Sequence, residues 1–227
     1  ATVAQATQHA WQAATGAAPG PAHINMRFRK PLWAPEDEPF VPVSVKPVEP
    51  AHPRLLQSDR ERLHEETQSQ RGVIVVGTDA SQRICPDAVV EIATALGGPI
   101  LTDPVNSLRF GRSGPIVRHH DAILRSDAFR SSHHPDVALF VGGTTSSRPL
   151  ETLLRSTPTI AINNTGRRWN PWGSVRWTLS AKVEDVAETL STTDGPSRPI
   201  DSTWRDDWLS ADLAAEDAIQ AACSDDL

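Results

Sequence analysis

Lysine is almost missing from this chain: only Lys30, Lys46 and Lys182 occur, while arginine and acidic residues are plentiful. The bias fits a GC-rich or salt-adapted source and excludes little else. Cysteine is scarce as well. Cys85 and Cys223 stand far apart with neither metal-ligand spacing nor a disulfide framework around them, which points to a reducing compartment. No apolar run approaches the roughly 20 residues that span a bilayer, and the first residues lack the basic-then-apolar order of a signal peptide. A soluble, cytoplasmic protein with no membrane insertion is expected. Its net charge of −6 argues against a nonspecific nucleic-acid surface, though local arginines remain suited to small anions.

Proline is what the chain has in excess, and its placement divides the sequence. Prolines at 31, 35, 39, 42, 47, 50 and 53 forbid a regular helix or a central strand, so residues 31–54 form an extended linker. A second linker, 193–203, carries Gly195, Pro196 and Pro199. Residues 55–192 between them are expected to be one α/β domain, with separate pieces at 1–30 and 204–227.

Within the first piece, residues 2–15 follow a helical period, with Val3, Ala6, Ala10, Trp11 and Ala14 near one face. Apolar and polar residues then alternate over 20–28 as in a strand. In the central domain a charged helix over 55–70 precedes the apolar run Gly72-Val-Ile-Val-Val-Gly77, of the kind buried in a parallel sheet. Helices are predicted over 87–96, 116–130, 148–155 and 183–190. Further strands are predicted over 99–102, 136–141, 159–163 and 175–179. Strands alternating with helices imply right-handed crossovers and a doubly wound, mainly parallel sheet of five to six strands. The last piece is a helix with Trp204, Trp208, Ala211, Ala215 and Ile219 near one face, whose partner surface is expected to lie outside the chain.

Three loops fall at the carboxyl edge expected of such a sheet, where open α/β folds bind ligands. Gly142-Gly-Thr-Thr-Ser-Ser-Arg-Pro149 leads from a strand into a helix N-terminus, chemistry suited to a carboxylate or phosphate and equally to a capped turn. It is neither a GxGxxG nor a P-loop. Gly77-Thr-Asp-Ala-Ser81 and Asp103-Pro-Val-Asn-Ser-Leu-Arg109 follow the first two strands; Asp79 and Asp103 suit either a site rim or simple turn-capping. His119, His120, His133 and His134 invite a metal reading, but neighbouring side chains on a helix point about 100° apart, and no HExxH or CxxC accompanies them. Cys85 precedes Pro86 at a helix start without a base nearby in sequence. Arg167-Arg-Trp169 suits an anion or a capped surface turn.

Several of these segments, in this order, resemble one family. Gly20-Pro-Ala-His-Ile-Asn-Met-Arg-Phe-Arg-Lys-Pro-Leu32 is similar to the "GPVHLN-x-PFREPL" segment of the 2-succinyl-5-enolpyruvyl-6-hydroxy-3-cyclohexene-1-carboxylate (SEPHCHC) synthases of menaquinone biosynthesis. The resemblance continues through Arg71-Gly-Val-Ile-Val-Val-Gly77 and Pro99-Ile-Leu-Thr-Asp-Pro-Val-Asn-Ser-Leu-Arg109. His120-Asp-Ala-Ile-Leu-Arg125 resembles a "YDxxLR" segment and 136–149 an "xVxxxGxxxxSKP" loop. It implies an internal portion of a larger thiamine-diphosphate enzyme. On that footing 1–30 closes the pyrimidine-binding domain, 55–192 is the Rossmann-like middle domain, and 204–227 starts the pyrophosphate-binding domain.

The family uses thiamine diphosphate and Mg²⁺ to decarboxylate 2-oxoglutarate and add the acyl-anion equivalent to isochorismate, chemistry that the cofactor carries. Its activating glutamate would precede residue 1 and its Gly-Asp-Gly metal motif does not occur here. The segment alone is therefore expected to bind no cofactor or metal and to be inactive, while the intact enzyme would be a homodimer or homotetramer. Arg148, with Ser147, stands where the family's loop carries a lysine directed at substrate carboxylates. Arginine keeps the charge and adds a bidentate fork. A free-standing nucleotide- or flavin-binding module and a structural spacer are the competing readings.

Overall fold

A computed structural model of the chain describes residues 3–16, 19–30, 54–68, 71–78, 84–111, 113–165, 170–192 and 202–224. Residues 31–53 and 193–201 of the two linkers, Asp79 and the Arg167–Trp169 group lie outside the described residues, and the end of the second linker belongs to a helix that starts at Ser202. The chain divides into two compact units, Ala1–Ala51 and His52–Leu227.

In the first unit, helix α1 (Val3–Thr15) buries none of its residues, and Val3 and Trp11 are more than half exposed. The alternating stretch 20–28 forms no strand. Alternation only marks which side chains would share a face; a strand needs a neighbour to take its N–H and C=O groups, and among the described residues none pairs with it.

The second unit is an α/β/α sandwich around one sheet. Its elements run α2 (Gln57–Thr67), β1 (Gly72–Val76), α3 (Pro86–Leu96), β2 (Ile100–Thr102), β3 (Ile116–Val117), α4 (His120–Ile123) and α5 (Asp127–Ser132). They continue with β4 (Val137–Val141), α6 (Arg148–Ser156), β5 (Thr159–Ile162), β6 (Val175–Leu179), α7 (Val183–Thr192) and α8 (Ser202–Ser224). The sheet order is β3-β2-β1-β4-β5-β6 with every pairing parallel, so the chain reverses direction across the sheet between β1 and β4. The expected doubly wound sheet is present, with six strands.

Strands β1, β2, β4 and β5 are buried along their whole length because helices cover both faces. The period of two then sorts each strand between two cores. Ile74 and Val76 pack with α3 and α7 on one side. Val73 and Val75 pack on the other with α6 and α8. Gly97 ends α3 in the left-handed conformation (φ 62°), and a Cβ on Gly98 would meet the Gly72 carbonyl oxygen at 2.4 Å, so the Gly97-Gly98 pair turns the chain tightly into β2.

Two departures from the sequence reading matter for the site. The helix expected over 116–130 is a two-residue strand followed by two short helices. Ile116-Val117 pairs with Ile100-Leu101, too short a run for any period to register. Ser126 then caps a new helix, its hydroxyl accepting from the Phe129 N–H, which splits the predicted one. Secondly, α8 has its partner surface within the chain. Trp204 and Trp208 are buried in the core beneath it, the Trp204 indole N–H donates to the Gly72 carbonyl at 3.0 Å, and Asp212 accepts from the His119 backbone N–H at 2.6 Å.

Candidate functional site

The carboxyl ends of β1, β2 and β4 meet at one place, and backbone hydrogen bonds fasten their loops together. Gly77 N–H donates to the Val141 carbonyl at 2.9 Å, Gly143 N–H to Thr78 at 2.7 Å, and the Asn106 side-chain amide to Gly77 at 3.0 Å. Only glycine permits this approach: a Cβ on Gly77 would sit 2.0 Å from the Gly143 carbonyl oxygen, and Gly142 has φ +95°. Thus the three-loop rim expected from the sequence is assembled as far as the described residues go.

Asp103, fully buried, is the centre of this rim. Its Oδ2 accepts from Ser146 N–H at 2.7 Å, Ser146 Oγ at 3.0 Å and Thr145 Oγ1 at 3.2 Å, while Oδ1 accepts from Val105 N–H at 3.2 Å. The turn-capping reading of Asp103 is correct for its own loop, and the same carboxylate also grips the loop after β4, 42 residues on.

Ser147 is the N-cap of α6, its hydroxyl accepting from Leu150 N–H. That hydroxyl donates its proton to Asp121 Oδ1 at 2.7 Å, and the residue is buried. Ser147 therefore anchors the loop, and its hydroxyl proton is engaged within the protein. Asp121 in turn accepts from Arg125 Nε at 3.0 Å. Burial pushes the Asp121 carboxyl up, but the Ser147 hydroxyl and the Arg125 guanidinium outweigh it and hold the group below the usual carboxylate range. Its contribution to stability is present above the unfolded value of 3.8 and lost as pH falls through the lower folded value. The sequence placed Asp121 beside His119 and His120 and in the "YDxxLR"-like segment, but no local spacing linked it to Ser147, 26 residues on.

Arg148 takes the first helical position of α6 and is exposed, with no ion pair to any described residue.

The four histidines disperse. His119 Nδ1 lies 3.2 Å from Asp212, His133 Nε2 3.3 Å from Asp207, and His134 Nε2 2.9 Å from Ser156 Oγ. His120 is buried with neither ring nitrogen in a full hydrogen bond. Burial pushes its pKa below 6.5; the nearby Val117 carbonyl opposes this, Arg109 adds to it, and Asp121 and Asp103 oppose it. A histidine depressed on folding takes up protons on unfolding, so stability should fall as pH drops below 6.5 toward the folded value. Thermal unfolding followed by circular dichroism between pH 7.5 and about 5 should show that decline, and His120→Phe should flatten it. An unchanged slope in the variant would remove His120 from the explanation.

Among the described residues no cluster of three histidine, cysteine or acidic side chains could hold a metal. The one buried carboxylate of the rim, Asp103, has its oxygens engaged by four protein donors. The described residues therefore do not fit a metal–diphosphate group. Cys85 caps the start of α3, half-buried, and Cys223 is exposed, both as free thiols. No described helix is long and apolar enough to cross a membrane.

An all-parallel six-stranded sheet whose carboxyl-edge loops carry polar and cationic side chains defines a doubly wound α/β domain. The fold agrees with a solved structure from Mycobacterium smegmatis described as a thiamin diphosphate-dependent enzyme, with a TM-score of 0.52 over 86% of this chain and 38% of that one at 17% identity. No family model matches the chain. Its sequence is similar to SEPHCHC synthases: 31% identical to that of Haloquadratum walsbyi over 91% of this chain, and 29% identical to that of Myxococcus xanthus over 98%. The Geobacillus kaustophilus synthase is 37% identical over 61% of the chain. The chain is a relative of the SEPHCHC synthases, and it spans 36% and 39% of the length of the first two.

Proposed function

We propose that the chain is the central portion of a thiamine-diphosphate-dependent carboligase. The intact enzyme would decarboxylate 2-oxoglutarate and add the resulting succinyl semialdehyde carbanion equivalent to isochorismate. The similarity over more than nine-tenths of the chain to two synthases of that name carries the reading. On it, 1–30 closes the pyrimidine-binding domain, 55–192 is the middle domain, and 204–227, whose helix α8 packs on that middle domain, leads into the pyrophosphate-binding domain. The intact protein would be a cytoplasmic homodimer or homotetramer using Mg²⁺.

The part this chain plays is recognition. Both substrates carry carboxylates, and Arg148 at the start of α6 offers a planar fork that pairs with a carboxylate through two N–H donors. It makes no ion pair with a described residue, and the loop beneath it is pinned. The positive end of the α6 dipole adds to its pull on an anion.

The cofactor's chemistry is assigned to parts of the enzyme other than these residues. Calorimetric titration of the 227-residue chain with thiamine diphosphate and Mg²⁺ should therefore give no binding heat. Micromolar binding would overturn the division of labour proposed here.

A further inference from the structure

We infer that Asp103 is a positioning residue for the substrate loop: through Thr145 and Ser146 it sets where α6 begins, and so where Arg148 presents its guanidinium. The inference rests on the proposed contact between Arg148 and a substrate carboxylate.

The geometry singles out Asp103. It lies on the loop after β2, while the residues it holds lie on the loop after β4, with β1 between those strands in the sheet. No backbone ladder joins β2 to β4. The two loops are linked by backbone bonds only through the loop after β1, and Asp103 Oδ2 joins them directly with three bonds, all within 3.2 Å. Ser146 and Ser147 leave Arg148 no slack, since Ser147 is itself tied to Asp121 at 2.7 Å and caps α6.

Chemistry explains why a carboxylate is needed. The group receives donors on both oxygens: Oδ1 from Val105 N–H, Oδ2 from Ser146 and Thr145. An amide has one oxygen. In Asp103→Asn, whichever way the amide turns, its NH₂ faces an N–H or hydroxyl donor. The side chain keeps its size, yet either its own turn loses the Val105 N–H bond or the loop after β4 loses the Ser146 N–H bond, and the bonds that remain are no longer charge-assisted. Ser146→Ala is the milder variant, since it removes the Oγ bond and leaves the backbone N–H bond at 2.7 Å in place.

Steady-state kinetics of the intact enzyme test this with Asp103→Asn, Ser146→Ala, Arg148→Ala and the Asp103→Asn/Arg148→Ala pair, each substrate varied in turn. A displaced arginine weakens carboxylate binding, so Asp103→Asn should raise KM for one substrate about tenfold, with kcat changed less than about threefold. Ser146→Ala should raise KM for the same substrate by a smaller factor, and it carries the test if Asp103→Asn does not fold. In the Arg148→Ala background, Asp103→Asn should add less than about twofold, because the contact it positions is already gone. A costly Arg148→Ala on which Asp103→Asn multiplies in full would overturn the positioning role alone. An Arg148→Ala enzyme with unchanged kcat/KM would overturn the substrate contact and the positioning role together.

Discussion

Replacing Arg148 by alanine in the intact enzyme is expected to lower kcat/KM by roughly 10- to 150-fold, the loss of one charge-assisted hydrogen-bonded contact of about 1.5 to 3 kcal/mol that persists to the transition state. The side chain is exposed at the first turn of α6 and packs into neither core, so the melting temperature should hardly move. Arg148→Lys should recover part of the activity, since it restores the charge without the fork. Kinetics with 2-oxoglutarate and isochorismate varied separately show which carboxylate is met. Wild-type kcat/KM for both in the alanine variant would make Arg148 a surface residue.

Trp208→Ala should produce the largest loss of stability, about 3 to 5 kcal/mol by urea denaturation. Trp208 is fully buried, with its ring centroid 5.0 Å from Phe129 and 6.0 Å from Trp204, both edge-on. Removing it leaves a cavity between α8 and the sheet. Its indole N–H has no partner among the described residues, so Trp208→Phe should cost much less than the alanine variant. On the same helix Leu213 is 63% exposed, and Leu213→Ala should stay within about 0.5 kcal/mol. Equal, small losses at 208 and 213 would mean that α8 is not part of this core.

Much of the fold could be read from local pattern. The continuous apolar runs at 72–76 and 137–141 pointed to strands, which the structure buries fully, and the loop 142–149 led into a helix start that the structure repeats at Ser147. What failed was short or lacked a neighbour. Ile116-Val117 acquires strand geometry only from the register of β2, and 20–28 alternates without a partner among the described residues. The apolar stripe of α8 was visible, but a period of 3.6 says that a face will be covered and not by what; Gly72 and Phe129, 132 and 79 positions from their α8 partners Trp204 and Trp208, supply the cover.

The site divides in the same way. Its three loops were placed at one edge by topology, since all strands of a doubly wound sheet point their carboxyl ends the same way. Ser147 as cap and Arg148 as cation were legible from the Ser-Arg-Pro order at a helix start. The grip of Asp103 on Thr145 and Ser146, and of Asp121 on Ser147, joins residues 26 to 43 positions apart. No spacing rule marks such pairs, because they depend on which strands become neighbours.

Carbon dioxide release by the full-length polypeptide that carries this segment is the most direct test of the proposed function. Purified protein with thiamine diphosphate, Mg²⁺, 2-oxoglutarate and isochorismate should release one carbon dioxide per molecule of isochorismate consumed, and omission of the cofactor should abolish turnover. Isochorismate left unconsumed with every component present, or turnover undiminished without thiamine diphosphate, would contradict it.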